Sequence, residues 1–184
     1  MSKFRAFIAI DVEQSSQITD IVNDLNNSGA NIKLVKPENM HITIKFLGDT
    51  DEKFVGRIRE IMEKSVENIE SFEIKLKSIG VFPNQDYIKI IWIGIEQYEK
   101  IVEIAKKINK GLSKIGFKKE KREFSPHLTI GRVKNSKNKD KILHIINRYE
   151  NTEFNTYKIK SIKLIKSELR SKGPIYTTIE EIKI

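Results

Sequence analysis

His41-Ile42-Thr43-Ile44-Lys45-Phe46-Leu47-Gly48 reads as a β-strand with one chemical face. Successive strand residues point to opposite sides of a sheet, so His41 and Thr43 share one surface and Ile42 and Ile44 the other. The same pattern returns 86 residues later as His127-Leu128-Thr129-Ile130, in a chain with only three histidines. Thr fills 8 of 184 positions. A Thr two places after a given His therefore arises by chance roughly 4% of the time, and two of three histidines doing so roughly half a percent. The repetition points to two strands, each presenting an imidazole beside a hydroxyl.

Outward from each motif the order of segments repeats. After the first come a helix over Asp51–Ile69, a strand over Phe72–Phe82, the turn Pro83-Asn84-Gln85-Asp86 and a strand over Tyr87–Ile95. After the second, on Leu128–Val133, come a helix with Ile142, Ile145, Ile146 and Tyr149 on one side, a long strand over Phe154–Leu169, the turn Ser171-Lys172-Gly173-Pro174 and a strand over Ile175–Ile184. The first motif strand is expected over Met40–Leu47, ending at Gly48. It is preceded by a strand at Phe4–Val12, a helix at Gln17–Asn27 and a short strand at Ile32–Val35. A further helix places Ile101, Ala105, Ile108, Leu112 and Ile115 on one face. These periodicities predict an α+β protein of antiparallel sheets with helices on their outer faces. Residues 1–184 are expected to form one bilobal domain with an internal duplication, in which two pseudo-symmetric lobes meet at a central cleft.

Composition narrows the chemistry. The chain has no cysteine, which removes disulfides, thiolate metal sites and cysteine nucleophiles, and neither motif histidine has the paired spacing of a zinc site. No apolar stretch approaches the roughly 18 residues of a membrane span, and the N-terminus has no signal-peptide pattern, so a cytoplasmic protein is expected. The net charge is +9, and ten basic against three acidic residues fall between Lys114 and Lys141. Such a bias suits a polyanion, although a lysine-rich solvated surface or thermophile usage produces it too.

Imidazole titrates nearest neutrality. Two of them on opposite sides of a phosphorus atom divide the work of in-line displacement, one taking a proton from the attacker and the other giving one to the leaving oxygen. Thr43 and Thr129 can donate to non-bridging oxygens, and Arg132 can add fixed positive charge. A lone strand histidine is ordinarily a packed structural residue, and strand threonines are good strand formers; the matched pair is what favours catalysis. Arg132 has the wrong parity to share the face of His127 and Thr129. It reaches the cleft only if Gly131 hosts a bulge or the strand ends there. His144 lies off the apolar stripe of its helix and reads as a surface residue.

The chain resembles, nearly end to end, the 2′-5′ RNA ligase (RNA 2′,3′-cyclic phosphodiesterase) family of the 2H phosphoesterase superfamily. The resemblance rests on Arg5-Ala6-Phe7-Ile8-Ala9-Ile10, on His41 through Gly48, on Ser125-Pro126-His127-Leu128-Thr129-Ile130-Gly131-Arg132, and on Ser167-Glu168-Leu169 through Gly173-Pro174-Ile175-Tyr176. It implies metal-independent opening of terminal 2′,3′-cyclic phosphates to 2′-phosphates, with no cofactor. It gives His41 the role of proton donor and His127 that of proton acceptor, sets Arg132 on the phosphate, and places Phe7 and Tyr176 near the cleft. The implied partner is RNA with a cyclic phosphate end, tRNA fragments among the sources, and the implied state a monomer away from membranes. Ligation by a 5′-hydroxyl in the same site is the near alternative, and a non-catalytic RNA-binding module the alternative of another class.

Overall fold

The structure, a computed structural model, describes residues 2–171 and 173–184. Its strands are β1 (Lys3–Asp11), β2 (Ile32–Leu34), β3 (His41–Asp51), β4 (Phe72–Pro83), β5 (Ile88–Glu96), β6 (His127–Val133), β7 (Glu153–Ile159), β8 (Ser161–Arg170) and β9 (Gly173–Lys183). Its helices are α1 (Ser16–Asn27), α2 (Val55–Val66), α3 (Glu99–Ser113) and α4 (Lys139–Tyr149). The strands pair antiparallel in the order β7-β4-β5-β6-β3-β1-β8-β9, with β2 added on β6. The expected α+β class with antiparallel pairing holds.

Strand alternation builds the core. Ile8 and Ile10 of β1, Ile42 and Ile44 of β3, Ile91 and Ile93 of β5, and Leu128 and Ile130 of β6 are buried on one side of the sheet. There they meet the apolar stripes of the helices: Ile18, Ile21 and Leu25 of α1, Ile58 and Met62 of α2, Ile101, Ile104 and Ile108 of α3, and Ile142 and Ile146 of α4. Ser15 caps α1, its hydroxyl accepting from the Ile18 amide at 3.3 Å. A separate small cluster of Phe7, Ala9 and Ile165, with Tyr176 packed on it, has the opposite parity and occupies the face that the helices leave open.

Three expectations need correction. The helix expected over Asp51–Ile69 is shorter, because Asp51 still pairs with Lys3 as the last residue of β3 and a 3-10 turn, Glu52–Phe54, intervenes. For the same reason β3 does not end at Gly48: β1 continues to pair with it through Asp49, Thr50 and Asp51. The long strand expected over Phe154–Leu169 is two strands. β7 pairs with β4 only until Ile159 meets Phe72, where β4 begins, so the backbone beyond needs new partners and finds them on β1 and β9. One residue, Lys160, thus links strands at nearly opposite ends of the sheet order, which requires the sheet to curl. Lys172, in the turn expected between the last two strands, lies outside the described residues.

Candidate active site

The two motif strands, β3 and β6, are neighbours, and the register pair between them is Ile42 with Leu128. These are the residues that separate His from Thr in each motif. Antiparallel pairing about that point sets His41 opposite Thr129 and Thr43 opposite His127, all on the face away from the core. Diagonal neighbours of this kind stand about 7–8 Å apart at the backbone, which leaves room for a phosphoryl group between two imidazoles.

Both rings are anchored alike. His41 Nδ1 lies 2.7 Å from the Asn39 carbonyl oxygen, and His127 Nδ1 lies 2.9 Å from that of Ser125. A carbonyl only accepts, so each Nδ1 carries the proton and each Nε2 is left free for chemistry. Local sequence makes these bonds. The 3-10 turn Pro37–Asn39 delivers the Asn39 carbonyl, and its Asn39 side chain donates to the Pro174 carbonyl at 3.3 Å, tying it to β9. Pro126 restricts Ser125 to extended backbone on the other side.

Each histidine also rests on aromatic rings. The His41 ring is 4.8 Å from Phe7 and 5.4 Å from Tyr176 between centroids. The His127 ring is 5.1 Å from Phe82 and 6.4 Å from Trp92. Burial pushes the pKa of His41 below the ordinary 6.5; the bond to Asn39 and the Asp11 carboxylate oppose this, and the Arg132 charge adds to it. Burial raises the Tyr176 phenol, and Arg132 acts against that shift. Arg132 therefore lies close enough to both groups to bias their protonation.

The parity objection to Arg132 is met by a bulge. Along β5 and β6, Trp92 pairs with Thr129 but Ile91 with Gly131, so Ile130 is an extra residue. Ile130 and Gly131 both face the core, and a Cβ on Gly131 would come 2.9 Å from Ile32 Cγ2. The side of Arg132 is thereby inverted onto the open face with Thr129.

The family described as the AKAP7 2′5′ RNA ligase-like domain matches residues 7–184, both motifs included. The chain belongs to this family of 2H phosphoesterases. A family relative from Methanocaldococcus jannaschii, an RNA 2′,3′-cyclic phosphodiesterase, is 46% identical over 179 residues, covering 96% of this chain and 99% of the relative. An RNA 2′,3′-cyclic phosphodiesterase from Methanothermobacter thermautotrophicus is 36% identical over 184 residues, covering 99% of this chain and 100% of the relative. A crystal structure of a Thermus thermophilus protein shares the fold, with TM-score 0.78 at 21% identity over 97% of each chain.

All seven residues singled out in the sequence of this 2H phosphoesterase lie on or beside the open face around the Ile42–Leu128 pair: His41, Thr43, His127, Thr129, Arg132, Phe7 and Tyr176. His144 lines an outer groove between α4 and α1, away from the motifs. Sequence reading missed Phe82 and Trp92, which do for His127 what Phe7 and Tyr176 do for His41. The available signal was glycine. The indole of Trp92 lies over Gly80, where an added Cβ would collide with the ring. Overpacking of this kind costs about 1–3 kcal/mol. Gly80→Ala is expected to lower thermal stability by that amount and to change the fluorescence of the single tryptophan; an unchanged midpoint in calorimetry would show that the ring is free to move.

Proposed function

We propose that this chain is a metal-independent RNA 2′,3′-cyclic phosphodiesterase that hydrolyses a terminal cyclic phosphate to a 2′-phosphate. The observation that carries the reading is the pair of imidazoles, each tied through Nδ1 to a backbone carbonyl with Nε2 free, on neighbouring strands. His127 Nε2 takes a proton from water as the water oxygen attacks phosphorus. The bond from phosphorus to the 3′ oxygen breaks, and His41 Nε2–H protonates that oxygen. Thr43 and Thr129 donate to the non-bridging oxygens, and Arg132 stabilises the charge that builds there. Phe7 and Tyr176 hold the His41 ring in place. The two proton transfers have their donor and acceptor in the chain itself, which supports turnover without a metal. The relatives named RNA 2′,3′-cyclic phosphodiesterase support the RNA end as substrate; the reading further takes the protein as a monomer, with tRNA fragments among its substrates.

The test is an oligoribonucleotide ending in a 2′,3′-cyclic phosphate, incubated in excess EDTA with and without a 5′-hydroxyl acceptor. A 2′-phosphate product is expected. A 3′-phosphate, or activity lost to EDTA and restored by a metal, contradicts the reading; a joined product measures how far ligation competes.

The lowered pKa of His41 gives a signed pH dependence. One limb of the kcat/KM profile, which reports the free enzyme, is expected below pH 6.5. It moves upward in kcat, since a bound phosphate anion favours imidazolium. Arg132→Met moves the limb upward in the free enzyme, because Arg132 contributes to the lowering. Unfolded His41 binds its proton at a higher pH than folded His41. Its contribution to stability is therefore complete above the ordinary value and is lost as pH falls below it. Profiles of kcat/KM and kcat with superimposable limbs would contradict this assignment.

A further inference from the structure

Each motif histidine has an outer neighbour in the sheet. His41 of β3 pairs with Asp11 of β1, and His127 of β6 pairs with Gly94 of β5. The Val12 amide donates to the Met40 carbonyl at 3.1 Å, so Val12–Met40 is a hydrogen-bonded pair. Asp11–His41, the next along, is then the closer, non-hydrogen-bonded kind, with Cα atoms about 4.5 Å apart and both side chains on one face. One histidine thus stands beside a carboxylate. The other stands beside no side chain, and none fits there: a Cβ on Gly94 would collide with the Lys77 carbonyl oxygen.

The carboxylate is held in place. Lys163 Nζ of β8 donates to Asp11 Oδ2 at 2.5 Å. The residue opposite Lys163 on β1 is Ala9, too short to stand between them. On its other side Lys163 pairs in register with Glu181 of β9, whose Oε1 accepts from the Ser161 hydroxyl at 2.7 Å. Charges therefore alternate across four strands: Glu181, Lys163, Asp11, and His41 when protonated. Glu181 offsets part of the Lys163 charge and leaves more of the Asp11 charge for His41.

The charged and titratable groups facing His41 are Asp11 from β1, Arg132 and His127 from β6, and Tyr176 from β9. Asp11 is the carboxylate among them. Burial and the Arg132 charge draw the proton off His41. A donor has to keep its proton until the leaving oxygen needs it, and an adjacent anion favours that. An acceptor has to start without one, and a carboxylate in the place of Gly94 would keep His127 protonated.

We propose that Asp11 is the positioning residue that keeps the proton on His41 until it passes to the 3′ oxygen, resting on the cyclic phosphodiesterase reading above. Asp11 acts through the imidazole, and Lys163 sets how strongly it does so.

The test follows the three histidines of the free protein by NMR of isotope-labelled histidine, with His144 as internal reference, beside the pH profile of kcat/KM on a 2′,3′-cyclic phosphate end. Asp11→Asn is expected to move the His41 titration to lower pH, and Lys163→Met to move it to higher pH, with His144 unmoved in both. The rate follows. Above the His41 limb, kcat/KM of Asp11→Asn falls about 1.5- to 5-fold, the range for a half-exposed charge pair; below the limb it is unchanged. A purely structural role would lower the rate at every pH. A His41 titration that neither variant moves, or that both move the same way, would overturn the proposal. His41 titrations that move as expected while the rate limbs stay fixed would uphold the Asp11–His41 pairing and overturn His41 as the donor instead.

Discussion

Alanine at His41 or at His127 is expected to lower turnover of a 2′,3′-cyclic phosphate end by about 10²–10⁴-fold each, the range for loss of a general acid or base. The two losses should not multiply in the double variant, since the two proton transfers serve one displacement. Affinity for the RNA end should change little. Neither ring bears on the core: both stand on the open face, fastened by one backbone carbonyl each, and the buried Ile42 and Leu128 keep the two strands together without them. Single-turnover rates with saturating enzyme separate chemistry from binding. Full turnover by either variant would remove the two-histidine mechanism.

Arg132→Ala is expected to cost about 10²–10³-fold in kcat, as loss of one fixed donor to developing charge does at comparable sites. Arg132→Lys should recover part of it, because a lysine supplies charge without the planar fork. The size of the effect depends on the bulge at Ile130, which turns the guanidinium to the open face. Were Arg132 on the outer side, its removal would alter neither rate nor the pH limb of His41. A fall in kcat together with an upward move of that limb, measured on one variant, reports both consequences of a single position.

Much of this site could be read from residues 41–48 and 127–132, because a strand's period of two is strict and the two motifs share it. The helices followed from their stripes of isoleucine. What escaped reading was set by pairing partners distant in sequence. Nothing near Lys160 announces a strand break; it occurs because β4 begins at Phe72 and can pair no further. The length of β3 beyond Gly48 is likewise imposed by β1. Gly131 marked where a bulge could turn Arg132 to the cleft, but whether it forms, and that the extra residue is Ile130, is a register difference against β5 that the motif alone does not carry. Phe82 and Trp92 reach His127 from β4 and β5 across the sheet, so no local spacing marked them.

The division of labour between the histidines is tested most directly with a cyclic substrate in which sulfur replaces the 3′ oxygen. A thiolate leaves without a proton, so the general acid becomes dispensable and the general base does not. His41→Ala is predicted to recover to near the wild-type rate on this substrate, and His127→Ala to remain as slow as on the oxygen substrate. Equal deficits for both variants on both substrates, or rescue of His127→Ala alone, would contradict the assignment of His41 as donor and His127 as acceptor.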